Sequence, residues 1–134
     1  MKIEEFLQLD KEGKGNRKKP VHRESQLQRE CVKWFRLQYY PFRNMLFSVP
    51  NGGCRNPIEA KIMKAEGVVP GVSDLILLVS RKGFSSLCLE CKTDVGDQSD
   101  NQIIWQADCE ANGNKYAIFR SVDEFMKYIN WYLK

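Results

Sequence analysis

Two short apolar runs, Ile76-Leu77-Leu78-Val79 and Ser86-Leu87-Cys88-Leu89-Glu90-Cys91-Lys92, stand on either side of Ser80-Arg81-Lys82-Gly83-Phe84. Their length and the turn chemistry between them predict a β-hairpin. A three-residue loop of Arg81, Lys82 and Gly83, with Gly83 in the left-handed position, pairs Ser80 with Phe84 and, counting back, Asp74 with Glu90. Residues directly opposite on a ladder share a face, and so do Glu90 and Lys92, two residues apart on one strand. The hairpin therefore brings two carboxylates and an ammonium to one side of an otherwise apolar sheet.

The remaining pattern supplies the elements around it. Residues 24–40 have helical periodicity, with Leu27, Cys31, Trp34, Phe35 and Leu37 on the apolar face and Pro41 as the stop. Met45-Leu46-Phe47-Ser48-Val49 reads as a strand, and Asn56 to Glu66 as a helix. That helix has Asn56 as N-cap, Pro57 at its first position, Ile58, Ile62 and Met63 facing inward, and Gly67 as its end. Ser99 or Asp100 caps a helix to about Asn112, with apolar positions at Ile103, Ile104, Ala107 and Cys109. Lys115 to Phe119 is a strand, and Ser121 caps a last helix that buries Phe125, Met126, Ile129, Tyr132 and Leu133. The order of helix, strand, helix, hairpin, helix, strand, helix predicts an α/β domain with a central mixed sheet of about four strands flanked by helices.

Composition narrows the class. A chain of 134 residues with 43% hydrophobic and 28% charged residues suits one soluble domain with a true core. It contains no apolar run of membrane-spanning length, and its first residues lack the apolar stretch of a signal peptide. Five scattered cysteines fit a reducing cytoplasm, bacterial or of a phage-infected host, better than a disulfide framework. Cys88 and Cys91 have C-x-x-C spacing, but an offset of three on a strand points them to opposite faces and argues against a shared zinc.

A net charge of +4 permits nucleic-acid binding, and its distribution says more. Residues 1–22 read as a flexible basic arm in which Lys18 and Lys19 can track phosphates or simply stay solvated, and residues 23–134 form the folded domain. Asn51, Gly52, Gly53 and Arg55 form a Gly-rich loop whose amides could approach a phosphate, with an ordinary turn as the alternative. His22, the one histidine, stands in the loose region and receives no catalytic role.

Two acids side by side in an apolar sheet are costly unless a cation or hydrogen bonds compensate them. Oxygen ligands select a hard cation such as Mg²⁺, or Mn²⁺ in its place. The alternative is a salt-bridged strand end in which Lys92 pairs with Glu90 or Asp74. The context favours the first reading. Glu24-Ser25-Gln26-Leu27-Gln28, Pro50-Asn51-Gly52-Gly53, Gly67-Val68-Val69-Pro70-Gly71-Val72-Ser73-Asp74, Glu90-Cys91-Lys92, and Gln102 with Trp105 occur in this order. Together they resemble the VRR-NUC (virus-type replication-repair nuclease) family of the PD-(D/E)xK superfamily, over nearly all of the chain after the arm. Ser73 stands where the family commonly has proline, and Cys91 where it has a small aliphatic residue; neither departure removes a catalytic side chain.

The resemblance implies a restriction-endonuclease-like core and metal-dependent hydrolysis of DNA that leaves a 5′-phosphate. In it Asp74, Glu90 and the Cys91 carbonyl would hold one or two Mg²⁺ or Mn²⁺ ions, and Lys92 would orient or activate water. Gln102 would hold that water or Lys92, and Glu24, with Glu30 as the other candidate, would add a first-helix carboxylate. It also implies a homodimer acting on branched DNA, such as a flap or four-way junction. A non-catalytic binding module on the same fold and a sequence-specific restriction enzyme are the competing readings.

Overall fold

The computed structural model describes residues 20–50, 56–93 and 95–134. Within them lie four α-helices, α1 (Pro20–Gln38), α2 (Pro57–Ala65), α3 (Asp100–Ala111) and α4 (Val122–Leu133). Four strands, β1 (Leu46–Ser48), β2 (Leu75–Leu77), β3 (Leu87–Cys91) and β4 (Lys115–Phe119), form one sheet in the order β1-β2-β3-β4. β1, β2 and β3 pair antiparallel, and β3 pairs with β4 in parallel. This is the mixed α/β sheet expected from the sequence. No helix among the described residues is long and apolar enough to cross a membrane.

Alternation along β3 divides the interior in two. Leu87, Leu89 and Cys91 face a large core with Leu75, Leu77, Phe119 and the apolar faces of α1 and α4. Phe35, Phe125, Ile129 and Tyr132 fill it, with Phe119 meeting Phe125 edge-on at 5.1 Å between ring centroids. The Tyr132 hydroxyl donates to the Val79 carbonyl at 2.6 Å, so this large side chain buries no unpaired polar atom. Cys88 faces the other way, in a smaller cluster with Tyr116, Cys109 and the half-buried Trp105 of α3. The two cysteines of the C-x-x-C spacing thus belong to different cores.

The hairpin has the expected register and an unexpected turn. Leu75 lies opposite Leu89 and Leu77 opposite Leu87, the alignment that carries Asp74 to Glu90. The chain reverses, however, through two residues: Arg81 bridges Phe84, and Lys82 and Gly83 between them have φ of 55° and 83°. Two positive φ values are what a two-residue turn needs to follow the strand twist. Three residues then separate Leu77 from Arg81 but only two separate Phe84 from Leu87, so a one-residue bulge restores the register that a three-residue loop would have set.

Other expectations shift. α1 begins at Pro20, ahead of Glu24, because proline suits a first helical turn, where its missing N–H costs nothing. It ends at Gln38, and Pro41 lies inside a short 3₁₀ turn, Tyr40–Phe42, rather than at the helix stop. Leu37 is exposed. Asn56 caps α2 by accepting from Glu59 N at 2.8 Å, as expected, yet α2 buries none of its residues, and Ile58 and Ile62 face outward. On α3, Trp105 and Cys109 meet the sheet, while Ile103 and Ile104 are exposed beside that line of contact.

Gly71 (φ 88°) lies against α3 so closely that a Cβ there would sit 2.3 Å from the Asn101 carbonyl oxygen, whereas a Cβ on Gly83 would meet nothing within 4 Å. Gly83→Ala should therefore cost only the left-handed backbone penalty, about 1–2 kcal/mol, and Gly71→Ala clearly more, because backbone must also move. Urea denaturation of the two variants measures the difference; equal losses would contradict the close approach at Gly71.

Candidate active site

Asp74, Glu90 and Lys92 meet at one end of the sheet, where β2 begins and β3 ends. Asp74 precedes β2 by one residue, and its main-chain carbonyl accepts from Val49 N at 3.0 Å, extending the β1–β2 pairing. Its Oδ2 accepts from Cys91 N at 2.8 Å, so the side chain serves a strand-end N–H and is itself fixed in direction. Ser73, fully buried, donates its hydroxyl to the Leu75 carbonyl at 3.0 Å and steadies the same bend.

Glu90 is the unusual member. It is only 3% exposed. Its Oε1 accepts from Gln102 Nε2 at 2.9 Å. Burial first, and then the charge of Asp74, push its pKa up to about 8, with Lys92 opposing the shift. Asp74 is near enough to raise the cost of ionising Glu90, and Glu90 Oε2 is buried and receives no hydrogen bond. Ionised, this carboxylate has an empty lone-pair face beside a second acid, and Lys92 offsets that cost only in part.

Gln102 reaches Glu90 because both ends of its amide are used. Ser99 and Gln102 form a capping box: Gln102 Oε1 accepts from Ser99 N at 2.9 Å, and Ser99 Oγ accepts from Gln102 N at 3.3 Å. The Gln102 amide nitrogen donates to the Glu90 carboxylate through one hydrogen; the other hydrogen is left for the water, or a lone pair of its oxygen for the Lys92 ammonium, that the resemblance implies. The Gly71 approach to Asn101 presses this helix start against the loop that leads into Asp74.

Thr93 and Gly96, just after Lys92, are held by side chains from α1 and from the residue that follows β4. Glu24 Oε1 accepts from Thr93 N at 3.2 Å, which places the first-helix carboxylate beside Lys92 and Thr93. Arg120 donates through Nη1 to the carbonyls of Thr93 (2.6 Å) and Gly96 (2.7 Å). Further along, Gln98 Nε2 donates to Gln106 Oε1 at 2.8 Å and to the Tyr116 hydroxyl at 3.3 Å. Arg120 went unnoticed in the sequence. It follows β4 directly, and only the parallel pairing of Cys91 with Phe119 brings it next to Lys92.

Glu24, Asp74, Glu90, Lys92 and Gln102 are thus brought together. Glu30 is buried two turns further along α1, where its Oε1 accepts weakly from Gln26 at 3.5 Å. The Cys91 side chain points to the opposite face, and its thiol donates to the Glu24 carbonyl at 3.4 Å; only its main chain faces the site. Lys18, Lys19, Asn51, Gly52, Gly53 and Arg55 lie outside the described residues. Among the described residues no group of three or more His, Cys, Asp and Glu side chains could hold a metal ion. A cation here would rest on two carboxylates, completed by main-chain oxygen, water or substrate, which is a common arrangement for Mg²⁺.

A sheet of this order, with two acids and a lysine at the meeting end of β2 and β3, defines an α/β domain with a restriction-endonuclease-like core. Comparison with solved structures gives the particular relative: a VRR_NUC domain protein, 20% identical, superposes with a TM-score of 0.74 over 88% of this chain and 91% of its own. The chain has that protein's fold. No protein-family model matches it, and no curated protein does.

The raised Glu90 pKa sets a pH dependence. The folded protein holds a proton on Glu90 that the unfolded chain releases near its ordinary value of 4.5, so this contribution to stability is present below that pH and is lost as pH rises through about 8. In EDTA, unfolding free energy should fall from pH 5 to pH 8 by an amount on the order of a few kcal/mol, and Glu90→Gln should flatten the slope. Parallel wild-type and Glu90→Gln stability curves would contradict the assignment.

Proposed function

We propose that this chain is a Mg²⁺- or Mn²⁺-dependent nuclease that hydrolyses DNA phosphodiesters, with branched DNA as its preferred substrate. The observation that carries the reading is the uncompensated Oε2 of buried Glu90 beside Asp74 and Lys92, on a fold shared with a VRR_NUC domain protein. A purely binding module gains nothing from two acids that repel phosphate.

Glu90 through Oε2 and Asp74 through the oxygen not used by Cys91 N would hold the cation, with the Cys91 carbonyl as a further ligand. The chemistry a bound Mg²⁺ or Mn²⁺ supplies is neutralisation of phosphate charge and a lowered water pKa. With a cation bound, Glu90 would be held in its ionised form, against the desolvation that otherwise favours the neutral one. Lys92 orients the attacking water and donates to a phosphate oxygen as charge develops there. Gln102 fixes the Glu90 carboxylate through one amide hydrogen and keeps a second for water. Glu24 and Arg120 hold the Thr93–Gly96 turn, which keeps the Lys92 main chain in place.

A homodimer would present two such sites to the two strands of a junction. The outward apolar residues of α2 and the turn after it, Ile58, Ile62, Val68 and Val69, offer a surface for a second copy.

End-labelled four-way junction, flap and plain duplex, each incubated with Mg²⁺, Mn²⁺ or EDTA, test the reading. Branched DNA should be cut only with metal, and Asp74→Asn and Lys92→Ala should each lower the rate by roughly a thousandfold while the fold survives. Binding without cutting under every metal condition would favour the non-catalytic module. Wild-type cleavage rates in Lys92→Ala would remove Lys92 from the mechanism.

A further inference from the structure

The parallel pairing continues one step past the strands, where Lys92 N donates to the Phe119 carbonyl at 3.1 Å, so Arg120 leaves β4 next to Lys92. Arg120 Nη1 bridges the Thr93 and Gly96 carbonyls, and Gly96 N donates to the Thr93 carbonyl at 3.2 Å. These bonds fold the turn back on the lysine before it. A Cβ placed on Gly96 would stand 3.6 Å from Lys92 Cδ, 3.7 Å from Glu24 Oε1 and 3.2 Å from Thr93 Oγ1.

Gly96 differs in kind from the other described glycines. Gly67, Gly71, Gly83 and Gly113 have positive φ, which favours glycine on backbone grounds, and Gly96 does not. What glycine supplies here is space: the turn lies along the Lys92 stem and the Glu24 carboxylate with no side chain between. The lysine needs that support. Charge draws its ammonium toward Glu90, but among the described residues no hydrogen bond or ion pair fixes it. An unrestrained lysine stem samples many rotamers.

We propose that Arg120 is a positioning residue for Lys92: by bridging Thr93 and Gly96 it holds Gly96 against the lysine stem and so sets the direction of the ammonium. The kinetic consequence rests on the nuclease reading and deepens it. Arg120 acts through Lys92 and not on the DNA. Its loss leaves Asp74, Glu90 and substrate binding in place and misdirects the group that meets the attacking water, where a shift of about 1 Å is costly in rate.

The test takes the full chain and two readouts, with circular dichroism and urea midpoints to show that each variant is folded. The first needs no catalysis. In EDTA, with lysine carrying ¹³C at Cε and the Lys92 signal identified by its loss in Lys92→Ala, relaxation reports how freely that methylene moves. Wild-type Lys92 should be ordered, and Arg120→Gln should release it to the mobility of an exposed lysine such as Lys61. Arg120→Lys, which keeps the charge without the planar fork, should lie between. The second readout is the single-turnover rate at saturating DNA in Mg²⁺. Arg120→Gln should lower it by about tenfold to a hundredfold, with the DNA concentration for half-maximal rate within about twofold of wild type. Gly96→Val, which sets a branched side chain against the lysine stem, should lower the rate as well. In Lys92→Ala, adding Arg120→Gln should change the remaining rate by less than about twofold, because the residue it acts through is gone.

Unchanged Lys92 relaxation in folded Arg120→Gln would overturn the proposal whatever the activity. So would a full further loss of rate in the double variant, or an effect confined to half-saturation, since Arg120 would then meet the DNA itself. A wild-type rate in Gly96→Val would overturn the part assigned to Gly96. A wild-type protein that cuts no nucleic acid would remove the nuclease reading alone, and the relaxation result would still decide the role of Arg120.

Discussion

Burying Glu90 at the end of an apolar strand is the constraint around which this domain is arranged. A carboxylate in that position loses its hydration, and the nearest replacement, Asp74, carries the same charge. Gln102 supplies one hydrogen bond, Lys92 supplies a partial counter-charge, and one oxygen is left unserved. The surrounding segments converge on that small volume: the bend at Ser73, the start of α3 and the turn after β3. The large core on the other face of the sheet gives these pieces a rigid base. Strain at a polar site can be carried when aromatic packing elsewhere supplies the stability.

The parallel step from β3 to β4 decides what stands near the site. Antiparallel pairing there would bring the start of β4, rather than its end, alongside Lys92. Because the strands run together, Arg120 emerges beside Lys92 and Thr93 and spans the turn with two short hydrogen bonds. The helix between the strands, α3, crosses over the same face as Glu90 and delivers Gln102. One crossover connection thus accounts for two of the side chains that fix the acid pair.

Local rules made much of this readable in the sequence. Alternation in the apolar runs set the hairpin register, since a slip by one residue would have turned Leu75, Leu77, Leu87 and Leu89 outward. The caps at Asn56, Ser99 and Ser121 followed from short-range hydrogen bonding, which each oxygen makes three residues ahead. What could not be read is non-local. Helical periodicity at Ile58 and Ile62 shows that a helix has an apolar face, not that another element lies under it. The two-residue turn and its compensating bulge give the same strand register as the three-residue loop, so the apolar pattern cannot distinguish them. Arg120 and the Gly71–Asn101 approach depend on which strands are neighbours and in which direction they run. Glu24 could be favoured over Glu30 from motif position, but its place beside Thr93 N emerges only once α1 is laid across the strand end.

The double use of the Gln102 amide ties the first turn of α3 to the electrostatics of the strand it covers. Its oxygen closes the helix cap while its nitrogen holds Glu90. When the helix start frays, Ser99 N loses its acceptor and the Glu90 carboxylate loses its donor in the same event. Order at the helix terminus and the orientation of the acid are therefore a single degree of freedom, and whatever ligand steadies Glu90 also winds the first turn of the helix.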